Sequence, residues 1–150
     1  MTALPEQAIH RYRDRHRGIL YGVGVGPGDP DLMTVKAVRI LNSVGAVFAA
    51  ASRGDRESLA TRIAAPHLKA GVSVMRLTFP MTFSADKRAT SWEENARQVL
   101  DVLEAGTDAA FLTLGDPLIY STFGYLMRTI RAMVADTEIR VIPGVTSYQA

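Results

Sequence analysis

Short apolar runs that alternate with helical patterns place the strongest constraint on how this chain can fold. The runs are continuous in their apolar character, which is typical of strands that are buried on both faces of a parallel sheet. Five such runs occupy residues 19–25, 44–50, 72–77, 109–114 and 139–142. Because strand and helix alternate, the sequence predicts an α/β fold, with a five-stranded, mostly parallel sheet and helices on both of its faces.

The first two helices are predicted from a capping residue and from spaced apolar side chains. Thr34 is a candidate N-cap, since its hydroxyl can accept a free backbone N–H of the first turn. The first helix is expected to bury Val35, Val38 and Leu41. Leu59 and Ile63 mark a second helix, which is expected to end near Pro66.

The third and fourth helices have the clearest patterns. Ser91 and Glu94 fit a capping box at the start of the third helix, and Gly106 supplies a left-handed residue at its end. The expected buried positions of the third helix are Ala96, Val99, Leu100 and Leu103. The expected apolar face of the fourth helix comprises Phe123, Leu126, Met127, Ile130, Met133 and Val134. Arg128 and Arg131 fall outside that face.

Three loops rich in glycine and proline follow predicted strands, at residues 22–30, 114–122 and 142–147. In an open α/β sheet, ligands bind beyond the carboxyl ends of the strands. Glycine lets the backbone turn sharply and lets a ligand approach the main chain. One such loop is typical of an ordinary turn, but three at the same edge of the sheet predict a ligand site there.

The first loop fits neither of two common phosphate-binding patterns. A P-loop has Gly-Lys followed by Ser or Thr, whereas Asp29 follows Gly28 here. In the dinucleotide pattern Gly-x-Gly-x-x-Gly, the last position counted from Gly22 is Pro27, and counted from Gly24 it is Asp29. That pattern also needs an acid near the end of the second strand, where this chain has alanines at positions 49–51.

Asp29 and Asp116 are the candidate ligands for a cation such as Mg²⁺. Each precedes a proline, which is typical of a turn or cap residue. The turn interpretation is therefore preferred, and no metal site is predicted. The chain has no cysteine, His67 is expected at the surface, and nothing indicates a catalytic triad or a zinc site.

The amino-terminal stretch is strongly basic between residues 10 and 17, although the net charge of the whole chain is only +2. An arm that binds nucleic acid has this pattern, and so does a solvated extension. Residues 1–17 are interpreted as such an extension, without a nucleic-acid partner. No apolar run is long enough for a signal peptide or a membrane span. A cytoplasmic protein without a membrane partner is therefore expected.

Three segments together resemble the signatures of the tetrapyrrole methylases, the methyltransferases that act on corrins and porphyrins. They are residues 23–37, 114–117 and 143–147, in the family's order. The resemblance runs from about Gly18 to Ala150. Within the family, residues 113–123 are most similar to the precorrin-2 C20-methyltransferases, as are residues 50–53 and 79–82.

This resemblance implies S-adenosylmethionine as cofactor and methylation of precorrin-2, or of cobalt-factor II, at C20 in cobalamin biosynthesis. It also implies a homodimer and a fold of two α/β domains, with the cofactor in the cleft between them. Residues 18–150 would then form the S-adenosylmethionine-binding, amino-terminal domain. The second domain would lie outside this chain, and the chain alone is expected to be inactive.

Matching positions imply which residues bind the cofactor. They are Pro27, Leu114, Gly115, Asp116, Ile119, Thr146 and Ser147. Asp116 would pair with the cofactor's amino group or with a ribose hydroxyl, and Leu114 and Ile119 would pack on the adenine. The carboxylates of the substrate are expected to meet surface arginines, for which the candidates are Arg53, Arg56 and Arg88.

One departure from the family leaves the catalytic residue unassigned. The siroheme-forming relatives have a proposed catalytic aspartate after the second strand, and the matching positions 49–51 are alanines here. The alternatives that stay open are a uroporphyrinogen, diphthine or ribosomal RNA methylase. A binding or dimerisation module without catalysis is a further alternative.

Overall fold

A computed structural model describes residues 16–51, 54, 57–80 and 83–150 of the chain. Five parallel strands form one sheet in the order β3-β2-β4-β1-β5. The strands are β1 (Leu20–Gly24), β2 (Ala46–Ala51), β3 (Val74–Thr78), β4 (Ala109–Thr113) and β5 (Ile139–Ile142). The predicted α/β class and the five strands are confirmed, with boundaries that differ by at most two residues.

In the described residues, four α-helices connect the strands. They are α1 (Val35–Ser43), α2 (Leu59–Ala64), α3 (Ala85–Glu104) and α4 (Phe123–Met133). Short 3-10 helices at Pro30–Leu32 and Ala65–His67 precede α1 and follow α2. Of the expected basic extension, only His16 and Arg17 lie within the described residues, and Arg17 forms an exposed ion pair with Asp136.

Helices cover both faces of the sheet, as predicted. Val47 and Ala49 of β2 pack in one core cluster with α1 and α2, whereas Phe48 between them packs in another with α3 and α4. Successive side chains of a strand point to opposite faces, so these two clusters are the two sides of one sheet. The central strands β1, β2 and β4 are almost fully buried, whereas the edge strands β3 and β5 are partly exposed.

The capping box predicted for α3 is wrong. The helix begins seven residues earlier, at Ala85, and Ser84 is its N-cap, with the serine hydroxyl accepting the N–H of Lys87. Ser91 lies inside the helix. Residues 84–90 have alanine as their only apolar side chain and are exposed, so these first turns carry no apolar periodicity that would reveal a helix.

Other predicted details of the helices are confirmed. Thr34 caps α1 through the N–H of Ala37, at 3.1 Å. Gly106 after α3 has a φ of +83°. The expected apolar residues of α3 are buried, and on α4 Phe123, Leu126 and Ile130 are buried.

Two residues expected on buried helix faces, Val35 and Met133, are exposed, and so is Leu59, which marked the second helix. Val35 at the start of α1 is 67% exposed, because Ala37 and Leu41 form the buried face of that helix instead. Leu59 at the start of α2 and Met133 at the end of α4 are also exposed. All three lie at the end of a helix, where the chain has only begun to cross the sheet or has already passed it.

Candidate functional site

The loops that follow β1, β4 and β5 lie side by side at the carboxyl edge of the sheet, because these three strands are neighbours. The β1 loop leads to α1 on one face, whereas the β4 loop leads to α4 on the other. A crevice opens between neighbouring strands whose connections diverge in this way. The fold therefore places the candidate site between the ends of β1 and β4.

Two glycines join the β1 and β4 loops. Gly115 donates its N–H to the carbonyl oxygen of Gly26 at 2.8 Å, and Gly26 donates to Gly115 at 3.3 Å. Both glycines have positive φ values, +83° for Gly26 and +64° for Gly115. Only glycine adopts this backbone conformation without steric cost, so the sequence requirement here is conformational.

The β5 loop packs equally closely against the other two. A Cβ atom on Gly24 would lie 2.7 Å from the Cα of Gly144, and a Cβ atom on Gly144 would overlap the carbonyl oxygen of Gly115. These three backbones approach more closely than any side chain allows. The three loops thus form one rigid edge.

Asp116 fastens the β4 loop to the β5 loop. Its Oδ1 accepts the N–H of Leu118 at 2.9 Å, and its Oδ2 accepts the N–H of Gly144 at 3.1 Å. Hydrogen bonds from amides to a carboxylate are stronger than those between neutral groups. The carboxylate therefore has a structural role in addition to any contact with a ligand.

Hydrogen bonds of side chains in and near the β1 loop stabilise its conformation. The Asp29 carboxylate accepts the N–H of Asp31 at 2.9 Å and so caps the short 3-10 helix. The Nε2 atom of His67 lies 3.0 Å from the carbonyl oxygen of Pro30, and the side chain of Asn42 donates to the carbonyl oxygen of His67.

The turn interpretation of Asp29 and of Asp116 is confirmed. His67 is partly buried and bonded to the loop, which corrects the expectation of a plain surface residue.

All seven residues predicted to bind the cofactor line one cavity of about 220 Å³ at this edge. Its lining comprises Pro27, Leu114, Gly115, Asp116, Ile119, Tyr120, Thr146, Ser147 and Tyr148. Leu114 and Ile119 supply exposed apolar surface, and the Thr146 hydroxyl is oriented by a 3.2 Å hydrogen bond to Gln149. The cavity thus combines flat apolar walls with a few fixed polar groups, which is typical of a small-molecule site.

Sequence reasoning missed two tyrosines of this cavity. Tyr120 is 98% exposed and Tyr148 is 81% exposed. Tyr120 also has a φ of +47°, and it is the single described residue other than glycine with a positive φ. For a residue with a Cβ atom, this conformation costs about 1–2 kcal/mol. Nothing in the sequence predicts that strain, because the backbone angles follow from how residues 116–123 are anchored.

A second cavity, of about 260 Å³, adjoins the first. It lies between the carboxyl ends of β2 and β4 and includes Leu114 and Tyr120, which line the first cavity as well. Its other lining residues are Ala50, Ser58, Leu59, Ala60, Leu112, Thr113, Ser121 and Thr122. Among the described residues that line it, none carries a charge.

A larger cavity, about 660 Å³, lies against β2, β3 and α2. None of its lining residues comes from the three glycine-rich loops. The site is therefore assigned to the first cavity, where the three loops meet, and to the second, which shares the β4 loop with it.

Among the remaining sequence candidates that the structure describes, Arg88 lines neither cavity of the site, whereas Ala50 lines the second. Arg88 lies exposed near the start of α3, and Arg53 and Arg56 lie outside the described residues. At the end of β2, Ala49 and Ala51 are buried and Ala50 is half-buried.

Among the described residues, no cluster of three or more His, Asp or Glu side chains could hold a metal ion. No described helix is long and apolar enough to cross a membrane.

Comparison with known proteins gives a consistent result. Residues 19–150 match the family described as Tetrapyrrole (Corrin/Porphyrin) Methylases. The cobalt-precorrin-2 C(20)-methyltransferase of Salmonella typhimurium is 37% identical over 133 residues, which cover 89% of this chain and 55% of the relative. A probable cobalt-precorrin-2 C(20)-methyltransferase of Methanocaldococcus jannaschii is 34% identical, over 87% of this chain and 54% of the relative.

A solved structure agrees with these relatives. The uroporphyrin-III C-methyl transferase of Thermus thermophilus, complexed with S-adenosylhomocysteine, superposes with a TM-score of 0.61 at 27% identity. The superposition covers 87% of this chain and 49% of that one. The chain thus spans about half the length of the relatives it matches.

Proposed function

The chain belongs to the tetrapyrrole methylase family, and from this we propose that it forms the S-adenosylmethionine-binding part of a C20-methyltransferase. The proposed substrate is precorrin-2 or cobalt-factor II, and the proposed pathway is cobalamin biosynthesis. The observation that supports this most directly is the cavity at the carboxyl edge, around which all seven candidate cofactor residues meet.

The residues of the cavity fit the proposed cofactor in chemical character. When bound, S-adenosylmethionine supplies a methyl group activated by its sulfonium charge. Leu114 and Ile119 present apolar surface on which an adenine ring can pack. Gly115 exposes main chain, and Thr146 and Ser147 present hydroxyls for the ribose or the amino-acid part.

Asp116 can serve the proposed cofactor without releasing its loop contacts. Each carboxylate oxygen accepts one backbone amide within the protein and has a further lone pair. A cationic amino group or a ribose hydroxyl can therefore be a third partner. Under this proposal the carboxylate holds the wall of the cavity and binds the ligand at the same time.

The chain's own contribution to methyl transfer is positioning. The rigid edge of Gly24, Gly115 and Gly144 fixes one wall against which the two reactants are aligned. Alignment of two reactants can lower a barrier by up to about 7–11 kcal/mol. The alanines at the end of β2 offer no side chain that could take the proton released from C20, so the proton acceptor is not assigned to this strand.

The proposal is tested by incubating the full-length gene product with methyl-labelled S-adenosylmethionine. Precorrin-2, cobalt-factor II and uroporphyrinogen III are offered in parallel, and the methylated carbon is identified by NMR. A label at C20 of either of the first two supports the proposal. Labelling of uroporphyrinogen alone, or binding of S-adenosylhomocysteine without transfer to any tetrapyrrole, would favour another family activity or a non-catalytic module.

Two further expectations belong to this proposal. The gene product is expected to be a homodimer, which sedimentation of the full-length protein measures. It is also expected in the cytoplasm, which fractionation of the source cells tests. The interpretation of residues 1–17 as a dispensable extension stays a prediction, and deletion of residues 1–15 with an unchanged melting temperature would support it.

A further inference from the structure

Tyr120 has an unfavourable backbone conformation that packing of its side chain does not offset. Its φ of +47° is unfavourable for a residue with a Cβ atom, and asparagine or glycine would adopt it more readily. A buried side chain could offset this cost through packing, but Tyr120 is 98% exposed. In the folded chain, packing of the ring therefore offsets almost none of the free energy that its backbone conformation costs.

The strain is imposed from both ends of a short segment. At one end, the Asp116 carbonyl oxygen accepts the N–H of Ile119 at 3.2 Å. At the other end, Ser121 accepts the N–H of Phe123, and the Phe123 ring is fully buried beneath Gly22. The chain must turn into α4 between these anchors, and the positive φ of Tyr120 makes that turn. The main chain of Tyr120 is thereby held in place relative to the sheet.

That position is the boundary between the two cavities. Tyr120 and Leu114 are the residues that line both, while Asp116 and Thr146 line only the first, and Ser121 and Thr122 line only the second. A group transfer needs donor and acceptor sites that adjoin each other. If the first cavity holds the methyl donor, the second is the adjoining place for the acceptor.

We propose that Tyr120 contacts the methyl acceptor, with its ring packing against the flat conjugated face of the tetrapyrrole at the boundary of the two cavities. This inference rests on the proposed function and names a specificity-determining residue for it. Aromatic rings favour offset stacking on extended π-systems. An exposed tyrosine on an anchored main chain can provide such a contact without the backbone first having to be ordered.

The test uses the full-length gene product and separates the two ligands. Tyr120→Asn removes the ring and relieves the backbone, since asparagine tolerates positive φ. We expect the KM for the tetrapyrrole to rise about tenfold, as for loss of one aromatic stacking contact. The Kd for S-adenosylhomocysteine should change less than about threefold, and the melting temperature should stay the same or rise. Tyr120→Phe keeps the ring and should behave like the wild type.

Tyr148→Asn is the matched control, because Tyr148 is exposed as well but lines only the first cavity. It should weaken S-adenosylhomocysteine binding and leave the KM for the tetrapyrrole unchanged. The inference is overturned if Tyr120→Asn has the same KM for the tetrapyrrole as an active wild type. It is also overturned if Tyr120→Asn raises the Kd for S-adenosylhomocysteine as much as Tyr148→Asn does. An equal loss in Tyr120→Phe would overturn the stacking contact. A wild type that methylates no tetrapyrrole would overturn the proposed function and this inference with it.

Discussion

Among single residues, Asp116 is where loop structure and proposed ligand binding meet. Asp116→Asn replaces one carboxylate oxygen by an NH₂ group, which then faces the N–H of Leu118 or of Gly144. A donor left without its acceptor costs about 1–3 kcal/mol. We expect the melting temperature to fall by roughly 2–4 °C per kcal/mol. Loss of the charge is expected to raise the Kd for S-adenosylhomocysteine about tenfold or more.

Calorimetry measures both effects, and Asp29→Asn serves as the control. Asp29 precedes a proline in the neighbouring loop, and its side chain caps the short 3-10 helix through one hydrogen bond. Asparagine caps helices about as well as aspartate, so stability and affinity should stay close to those of the wild type. Unchanged stability and unchanged affinity in a folded Asp116→Asn variant would exclude both roles.

Gly144 tests whether the close approach of the three loops is essential. A Cβ atom there would overlap the carbonyl oxygen of Gly115, so the β4 and β5 loops would have to separate. We expect Gly144→Ala to lower the free energy of unfolding by more than about 3 kcal/mol, beyond the usual range for a single substitution. Chemical denaturation measures the difference.

Gly28→Ala is the matched substitution in the β1 loop. A Cβ atom on Gly28 meets no atom within 4 Å, and its φ does not lie in the left-handed region. Its effect should stay within about 0.5 kcal/mol, as for most surface changes. Equal effects of the two substitutions would show that the packing of the glycine backbones does not hold this edge together.

The resemblance to the family implied seven of the nine residues that line the first cavity. Their positions after the ends of strands agree with it, because the ends of parallel strands share an edge. The sequence did not reveal that Asp116 is bound to Gly144, since that hydrogen bond spans 28 residues of sequence. The exposure of Tyr120 was equally hidden, because an apolar or aromatic residue in a loop is compatible with burial or with exposure. Local patterns thus locate such a site, whereas its internal contacts depend on the tertiary structure.

At the scale of elements, the start of α3 gives the sharpest test. Ser84→Ala removes the side chain that caps the helix, whereas Ser91→Ala changes a serine inside it. The hydrogen bond from Lys87 to Ser84 is long, at 3.5 Å, so a loss of about 0.5–1 kcal/mol is expected, near the low end for N-caps. Ser91→Ala should be neutral or slightly stabilising, since alanine has the higher helix propensity.

Thermal unfolding of the two serine variants distinguishes the two helix starts. A larger loss in Ser91→Ala would restore the capping box that the sequence suggested. The comparison also shows why element boundaries are harder to predict than elements. Buried positions such as Val99 and Leu103 produce a periodic pattern, but the exposed turns before them do not.

For the whole molecule, strand order was beyond the reach of local patterns. The five apolar runs predicted parallel strands, but the insertion of β4 between β2 and β1 depends on contacts between distant segments. That insertion is what brings the β1 and β4 loops together and places the second cavity beside β2. The site is therefore a consequence of topology as much as of its motifs.

The carboxyl edge of the 150-residue chain also carries a group of exposed apolar and aromatic side chains. They are Leu114, Leu118, Ile119, Tyr120 and Tyr148. Clusters of exposed apolar residues mark surfaces that bind another molecule or promote association. We expect this chain to self-associate in a concentration-dependent way through the carboxyl edge.

Leu118→Lys tests this expectation at a residue that is 63% exposed and does not line either cavity of the site. A lysine cannot be buried in an apolar contact without a large desolvation cost, so the association constant should fall about tenfold or more. Met133→Lys is the control, because Met133 is an exposed apolar residue at the end of α4, where that helix has reached the opposite edge of the sheet.

Sedimentation velocity over a range of concentrations measures the self-association of both variants. If Met133→Lys reduces association as strongly as Leu118→Lys, the contact is not confined to the carboxyl edge. If neither variant does, the apolar cluster at that edge does not drive association.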